Sequence, residues 1–121
     1  MGFISLKAHT QKDGFSLPNF VFLRGEAVTV LLFVNGKLAV VEQYRVPVQQ
    51  TLIEAPAGML DEDGDFVSKA TIEIEEETGI KINQSMLKPL GSYIPSGGGC
   101  DEEIHMFYSK CEIAEEKMEE L

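Results

Sequence analysis

GMLDEDGDFVSKATIEIEEETGI, residues 58–80, contains the clearest pattern in the chain, which is one helix framed by two loops. The predicted helix covers residues 66–78. Asp65, directly before it, is a residue type that caps helix N-termini, and Gly79, directly after it, is the type that ends helices. The polar run DEDGD at residues 61–65 predicts the loop that leads into the helix.

The predicted helix has an apolar face and an acidic face. The apolar positions recur at helical spacing and are Val67, Ala70 and Ile74. The acidic positions fall at i, i+3 and i+4 and are Glu73, Glu76 and Glu77. Like charges at this spacing repel one another, so the acidic face lowers helix stability unless a cation neutralises it.

Two interpretations of the acidic face remain open. Carboxylate oxygens are the ligands that Mg²⁺ and Mn²⁺ prefer, and such ions bridge to phosphate. A charge run is also commonly a solvated helix surface that binds nothing. A calcium-loop interpretation of residues 61–72 fails, because an EF-hand needs Gly at its sixth position and Glu at its twelfth. This chain has Phe66 and Ile72 at those positions.

Composition limits the class of protein. The chain has 121 residues, 44% apolar and 25% charged, which suits one globular domain with a single core. Its net charge of −10 argues against a nucleic acid or an anionic membrane as partner. No apolar run has the length of a membrane span. Cys100 and Cys111 are too few for a disulfide scaffold, which favours free thiols in a reducing, cytoplasmic compartment.

Short apolar runs outside the helix predict β-strands. They are FVFLR at 20–24, VTVLLFV at 28–34, KLAVVEQYR at 37–45, TLIEAPAGML at 51–60 and IHMFYSKCEI at 104–113. Asn35 and Gly36 predict a tight hairpin between the second and third runs, because both tolerate positive φ. We expect the fourth run to end in a turn at residues 56–58, and residues 114–121 to begin an acidic helix.

This order of elements predicts one mixed α/β domain over residues 1–121. No closing strand follows residue 113, which favours a domain truncated at its C-terminus.

Residues 58–80 resemble the Nudix box, which is Gly, five residues, Glu, seven residues, then Arg-Glu-apolar-X-Glu-Glu-X-Gly-apolar. The matching residues are Gly58, Glu73, Ile74, Glu76, Glu77, Gly79 and Ile80. The resemblance implies an α/β/α sandwich with a mixed sheet and a loop–helix–loop motif. It also implies a divalent metal, Mg²⁺ or Mn²⁺, on a nucleoside diphosphate linked to another group. The implied metal ligands are Glu73, Glu76, Glu77 and the backbone carbonyl of Ala57.

Two box positions depart from the family pattern. The first Glu is replaced by Gly64, and the Arg before Glu73 is replaced by Ile72. That Arg orients nearby carboxylates in the family, so Ile72 puts catalysis in doubt more than Gly64 does.

Three stretches outside the box resemble one branch, the ADP-sugar and ADP-ribose pyrophosphatases. They are VVEQYRVPV at 40–48, IEAPAGML at 53–60 and PSGGGCDEE at 95–103. The last is similar to a loop of the plant-type ADP-sugar diphosphatases, a group that itself tends to lack the first box Glu. Together with the box, the resemblance extends over residues 20–108.

The branch resemblance implies a substrate site. Arg45, Glu54, Gly98 and Gly99 are the expected substrate-binding residues. Glu102, Glu103 and Glu73 are the expected catalytic residues, with Glu102 preferred to Glu103 as the base. A loop carboxylate can swing towards a metal site once substrate binds. The alternatives are a solvated loop charge for the two loop acids and a structural ion pair for Arg45.

The sequence therefore favours a Mg²⁺-dependent hydrolase that cleaves the diphosphate of a nucleoside diphosphate-sugar, ADP-glucose or ADP-ribose, into AMP and a sugar phosphate. Two alternatives stay open, which are hydrolysis of other nucleoside polyphosphates and a Nudix-fold binding module without catalysis. A third is an acidic interaction domain that binds no ligand. The branch resemblance also implies a homodimer.

Overall fold

The computed structural model describes residues 2–5, 20–60 and 64–120. Within these ranges the strands are β1 (Gly2–Ser5), β2 (Phe20–Leu23), β3 (Glu26–Val34), β4 (Lys37–Leu38), β5 (Val41–Arg45), β6 (Gln50–Glu54), β7 (Ala57–Met59), β8 (Lys88–Tyr93) and β9 (Glu103–Cys111). The helices are α1 (Phe66–Thr78) and α2 (Glu115–Met118), and short 3₁₀ turns cover Val46–Val48 and Gln84–Met86. Residues 61–63 of the predicted polar loop lie outside the described residues.

A five-stranded mixed sheet forms the centre of the fold. Its strand order is β4–β3–β9–β8, and β7 pairs with the first part of β3. β3 and β9 run parallel, with Glu26 opposite Glu103 and Val34 opposite Cys111, whereas the other pairs are antiparallel. β1–β2 and β5–β6 each form a separate two-stranded sheet.

The core lies between β3, β9 and α1. Alternate residues of β3 point to the helix because side chains alternate across a strand. They are Val28, Val30, Leu32 and Val34, all buried. Ala70 and Ile74 of α1 and Phe107 of β9 complete this side of the core, and Val67 packs against it. The apolar helix face predicted from the sequence is therefore confirmed.

The predicted hairpin after β3 is also confirmed. Asn35 and Gly36 have φ values of 49° and 78°, and the strands on either side pair at Val34 and Lys37. The Asn35 side chain also binds both backbone groups of Ile113, at 2.9 Å each. The turn therefore holds the chain segment that follows β9.

KLAVVEQYR was predicted as one strand, and this is wrong. β4 ends at Leu38, and the last bond to β3 runs from the Ala39 N–H to the Leu32 carbonyl at 2.8 Å. The next part of that edge of β3 is occupied by residues 56–59, since the Val30 N–H donates to the Pro56 carbonyl at 3.0 Å. The chain leaves the sheet there and β5 pairs with β6 instead.

The turn predicted at residues 56–58 is also wrong. Ala57–Met59 is a strand, paired antiparallel with Ala27, Val28 and Thr29. Pro56 precedes this strand, where its missing N–H costs nothing. Its carbonyl accepts hydrogen bonds from Val30 and from the Thr29 hydroxyl. The segment is thus held against the sheet beneath α1.

The predicted fold class, a mixed α/β domain with a mixed sheet and a loop–helix–loop, is confirmed by this arrangement. Neither described helix has the length and apolar character needed to cross a membrane.

Candidate active site

α1 is fixed by caps at both ends. The Asp65 carboxylate accepts hydrogen bonds from the Ser68 backbone N–H at 3.0 Å and from its hydroxyl at 2.8 Å. These bonds hold the pKa of Asp65 below its usual value. Gly79 has φ of 71°, and its N–H donates to the Glu75 carbonyl. Both predicted helix ends are confirmed, and the caps fix the first and last turns of the helix that carries the acids.

Glu73 is turned inward against β7. Only 9% of the residue is exposed. A Cβ on Gly58 would lie 2.0 Å from Glu73 Cδ and Oε1, so the carboxylate occupies the space that any other residue at position 58 would fill. Lys69, one turn earlier on α1, places Nζ 2.7 Å from Glu73 Oε1. The box glycine and the box glutamate are therefore a packed pair.

Glu77 is held by the same segment of chain. Its Oε2 accepts from the Ala57 backbone N–H at 3.0 Å, and its Oε1 accepts from the Gln43 side-chain amide at 3.1 Å. Gln43 lies on β5, so this contact ties the β5–β6 hairpin to α1. The structure thus places Glu73 and Glu77 against two adjacent residues, Gly58 and Ala57. It does not bring side-chain oxygens of all three described acids, Glu73, Glu76 and Glu77, within 4.8 Å of one another. Gln43 was not a predicted site residue, although it lies in the VVEQYR motif.

Glu76 and Ile72 both point to solvent. Glu76 is exposed, beside the two anchored acids on the same helix. Ile72, which stands where the family has Arg, is 48% exposed and contributes no charge. Gly64, which stands where the family has its first Glu, is exposed before the helix.

The glycine-rich loop is tied to the end of β2. The Phe22 N–H donates to the Gly99 carbonyl at 2.8 Å. The Asp101 carboxylate accepts from the backbone N–H groups of Arg24 and Gly25, at 2.6 and 3.2 Å. These two bonds hold the pKa of Asp101 below its usual value. Gly98 is exposed, and a Cβ added there would meet nothing within 4 Å, so the middle of the loop stays open to a ligand.

The structure separates the two adjacent loop acids. Glu102 pairs with Arg24, whose Nε lies 2.8 Å from Glu102 Oε1. Glu103 begins β9 and accepts a hydrogen bond from the Ser92 hydroxyl on β8. Arg24 was not predicted as a site residue.

Glu103 belongs to a second group of possible metal ligands. One ligand atom from each of Glu26, Glu103 and His105 lies within 4.8 Å of the others. His105 Nε2 and Glu26 Oε1 are 3.1 Å apart, and the Phe66 ring packs on the imidazole with 3.9 Å between ring centroids. The parallel register of β3 and β9 creates this group. No spacing within the sequence reveals that register, so Glu26 was missed.

Arg45 and Glu54 form a forked ion pair across the β5–β6 hairpin. Arg45 Nε donates to Glu54 Oε1 at 2.9 Å, and Nη2 donates to Oε2. The hydrogen bonds from Arg45 lower the pKa of Glu54, and those same bonds raise the pKa of Arg45. The negative charge of Glu77 also raises the pKa of Arg45, so the guanidinium lies within the electrostatic field of the anchored acids.

The residues around Glu73 fit a divalent cation. The carboxylates supply hard oxygen ligands, and the lack of a side chain at Gly58 lets the Glu73 carboxylate lie against β7. The ammonium of Lys69 lies against Glu73, which indicates that a positive charge is favoured there. Glu73, Glu76, Glu77 and the Ala57 carbonyl are therefore chemically suited to hold Mg²⁺ or Mn²⁺.

Comparison with known proteins gives the class. Nudix hydrolase 14, chloroplastic, from Arabidopsis thaliana is 37% identical over 137 residues, covering 100% of this chain and 44% of that protein. An ADP-ribose pyrophosphatase from Bacillus subtilis is 36% identical, covering 77% of this chain and 50% of that protein. The methanol dehydrogenase activator of Bacillus methanolicus is 37% identical over 83% of this chain and 57% of that protein.

Among solved structures, an ADP compounds hydrolase matches with a TM-score of 0.65 and 20% identity, covering 70% of this chain and 45% of that one. At this identity the match shows the fold alone. No family model matches the chain. The chain spans about half the length of the curated relatives named here.

The fold, the capped acidic helix and these relatives together identify the class: the chain belongs to the Nudix hydrolase family. Its sequence relatives include proteins named ADP-ribose pyrophosphatase, which is the branch that the motifs outside the box predicted.

Proposed function

We propose that this domain hydrolyses the diphosphate linkage of an ADP-sugar, ADP-ribose or ADP-glucose, to AMP and a sugar phosphate, with Mg²⁺ bound at the acids of α1. The observation that carries the proposal is the packing of Glu73 against Gly58, with Glu77 bound to the adjacent Ala57 N–H. The names of the sequence relatives support the substrate class.

Glu73, Glu76, Glu77 and the Ala57 carbonyl would hold the metal. Mg²⁺ bound there would neutralise the phosphoryl oxygens. Arg45 would bind a phosphate oxygen, because its guanidinium is fixed by Glu54 while its side chain remains 45% exposed. Glu54 would then position Arg45, or accept a hydrogen bond from a sugar hydroxyl.

Glu102 would be the base. A water oxygen attacks one phosphorus, the bond from that phosphorus to the bridging oxygen breaks, and the water proton passes to the Glu102 carboxylate. Glu102 reaches the water only after its ion pair with Arg24 opens. Gly98 and Gly99 would permit this movement and bring their backbone close to the phosphates. Glu103 is the less suitable base, because Ser92 already binds it at the start of a strand.

The test is AMP release from ADP-ribose and ADP-glucose, with and without Mg²⁺, for the wild type and Glu76→Gln. Mutation of a residue that only hydrogen-bonds to a metal ligand typically lowers activity about 10- to 100-fold. Because Glu76 is itself a proposed ligand, we expect Glu76→Gln to lower AMP release by about a hundredfold or more. Glu75→Gln is the matched control, since Glu75 lies on the same helix but pairs with Lys81 at the surface. Equal activity of Glu76→Gln and Glu75→Gln would remove Glu76 from the mechanism.

A second candidate is a nucleotide-binding domain without catalysis, which the exposed Ile72 favours. ADP-ribose binding without AMP release, in the presence of Mg²⁺, would select it. A panel that includes nucleoside triphosphates and dinucleoside polyphosphates would identify a hydrolase of another substrate class.

We also propose that the domain forms a homodimer. The β5–β6 region carries exposed apolar side chains, which a partner would cover: Tyr44, Val46, Val48 and Ile53. Light scattering after size-exclusion chromatography tests this, and a monomer at micromolar concentration would contradict it.

A further inference from the structure

The ion pair between Lys69 and Glu73 is unusually sheltered. The two side chains are 21% and 11% exposed, whereas those of the ion pair between Lys81, just after α1, and Glu75 on α1 are 80% and 48% exposed. Salt and water screen a sheltered pair much less than an exposed one. The attraction between Lys69 and Glu73 is therefore strong enough to matter for the charge balance around Glu73.

Glu73 needs a nearby cation. Its carboxylate is enclosed by Gly58 and by α1, where Ala70 and Ile74 are fully buried. A carboxylate withdrawn from water is strongly disfavoured unless a positive charge accompanies it. Ile72, directly before Glu73, cannot supply that charge, whereas Lys69, four residues earlier, lies on the same side of the helix.

The ammonium also lies at the Glu73 oxygen that faces β7, the strand that begins at the proposed ligand Ala57. Oε1 is the oxygen 2.7 Å from Lys69 Nζ. The same oxygen is 2.0 Å from the place that a Cβ of Gly58 would occupy, next to Ala57. An ammonium and a divalent cation at one carboxylate oxygen would repel each other at short range.

We propose that Lys69 is a resident counter-ion of Glu73, which neutralises this acid in the metal-free protein and competes with the divalent metal for it. Metal binding then requires that the ammonium move away, which the flexible four-carbon stem of lysine permits. This inference rests on the proposed metal-binding role of Glu73. Lys69 would supply a positive charge next to Glu73, although Ile72 replaces the Arg of the family pattern. The same charge would lower the affinity of the site for a divalent metal.

The experiment is a Mn²⁺ titration of the wild type and Lys69→Met, with free Mn²⁺ measured by electron paramagnetic resonance. Met retains much of the apolar stem and removes the charge. We expect Lys69→Met to bind Mn²⁺ about tenfold more tightly, which corresponds to about 1.4 kcal/mol. The thermal midpoint of the metal-free variant should fall, while its rise on adding Mn²⁺ should exceed that of the wild type.

Lys81→Met is the matched control, because it removes a lysine from the exposed ion pair with Glu75, and its Mn²⁺ affinity should match the wild type. If Lys69→Met does not fold, Lys69→Arg provides the test. Arg keeps the charge and grips a carboxylate with two donors, so Mn²⁺ should bind more weakly than to the wild type. Unchanged or weaker binding by Lys69→Met, or tighter binding by Lys69→Arg, would overturn the inference.

The titration also separates this inference from the proposed reaction. Tighter Mn²⁺ binding by Lys69→Met, in a chain that releases no AMP, would support the counter-ion and refute the hydrolase. A wild-type chain that binds no Mn²⁺ would overturn both.

Discussion

The acidic helix α1 and the β5–β6 hairpin differ in how they are held. α1 is capped at both ends and packs on the core, and its acids Glu73 and Glu77 contact the segment that carries β7. The hairpin is a separate two-stranded sheet, bonded to α1 through Gln43 and Glu77. Its ion pair, Arg45–Glu54, is partly exposed.

This difference matches the two tasks of the proposed hydrolase, metal binding and substrate binding. Metal ligands need fixed geometry, which a helix packed on a sheet provides. Groups that bind a substrate tolerate, and often require, elements that adjust. Substitutions around α1 should therefore change metal binding and stability together, whereas substitutions in the hairpin should change substrate affinity and leave stability nearly unaltered.

The largest effect is expected for Gly58→Ala. The new Cβ would lie 2.0 Å from the Glu73 carboxyl, so the side chain must leave its place. We expect a loss of about 1–3 kcal/mol in the free energy of unfolding, as for other overpacked sites. Mn²⁺ affinity should fall together with stability, because Glu73, a proposed metal ligand, is displaced. Denaturant unfolding measures the stability, and a Mn²⁺ titration measures the affinity.

Gly2→Ala is the control for this prediction, because nothing lies within 4 Å of the added Cβ at that position. If Gly58→Ala binds Mn²⁺ with wild-type affinity, Glu73 is not a metal ligand. The division into a metal-binding α1 and a substrate-binding β5–β6 hairpin would then be wrong.

A smaller effect, confined to the substrate, is expected for Arg45→Lys. Lysine keeps the charge but cannot make the forked contact with Glu54 or present a second donor to phosphate. KM for the ADP-sugar should rise about tenfold, which equals about 1.4 kcal/mol. Stability should change by less than about 1 kcal/mol, because the pair is exposed.

Steady-state kinetics and thermal melts of the same preparation check this. If Arg45→Lys lowers the melting midpoint as much as Gly58→Ala does, the hairpin is a structural element and the contrast fails.

The sequence predicted the parts of the molecule that follow from local rules. The ends of α1 follow from Asp65 and Gly79, and the β3–β4 hairpin follows from Asn35 and Gly36, since caps and turns depend on neighbouring residues. The two wrong assignments both concern the edge of β3. Residues 56–59 and the segment after β4 could each pair with that edge, and no local sequence pattern shows which of them does.

The same limit applies to the candidate site. The acids of α1 could be found from spacing and from the family motif. The ion pair of Lys69 with Glu73 follows the i, i+4 spacing rule, although it was not among the predictions from the sequence. Arg24 at Glu102, and Glu26 at His105, depend on which strands become neighbours, so they required the structure.

The smallest expected effect is a change in the pH dependence of stability. It is tested with one carboxylate from each region, Asp65 at the start of α1 and Glu54 on the hairpin. The pKa of Asp65 is lowered by the Ser68 N–H at the start of α1, and that of Glu54 is lowered by Arg45 on the hairpin. A carboxylate with a lowered pKa in the folded state stabilises the fold above its unfolded pKa, about 4, and this contribution disappears as pH falls through the folded pKa.

Asp65→Ala should therefore lower the melting midpoint at pH 7, and its difference from the wild type should shrink at about pH 4 and shrink further at about pH 3. Glu54→Ala should show the same trend with a smaller difference at pH 7, because its partner belongs to the same exposed hairpin and not to a helix packed on the core. Melts of the three proteins at these pH values measure both trends. A difference for Asp65→Ala that persists at the lowest pH would mean that its cap acts without charge. A larger difference for Glu54→Ala than for Asp65→Ala would reverse the assignment of rigid and adaptable regions.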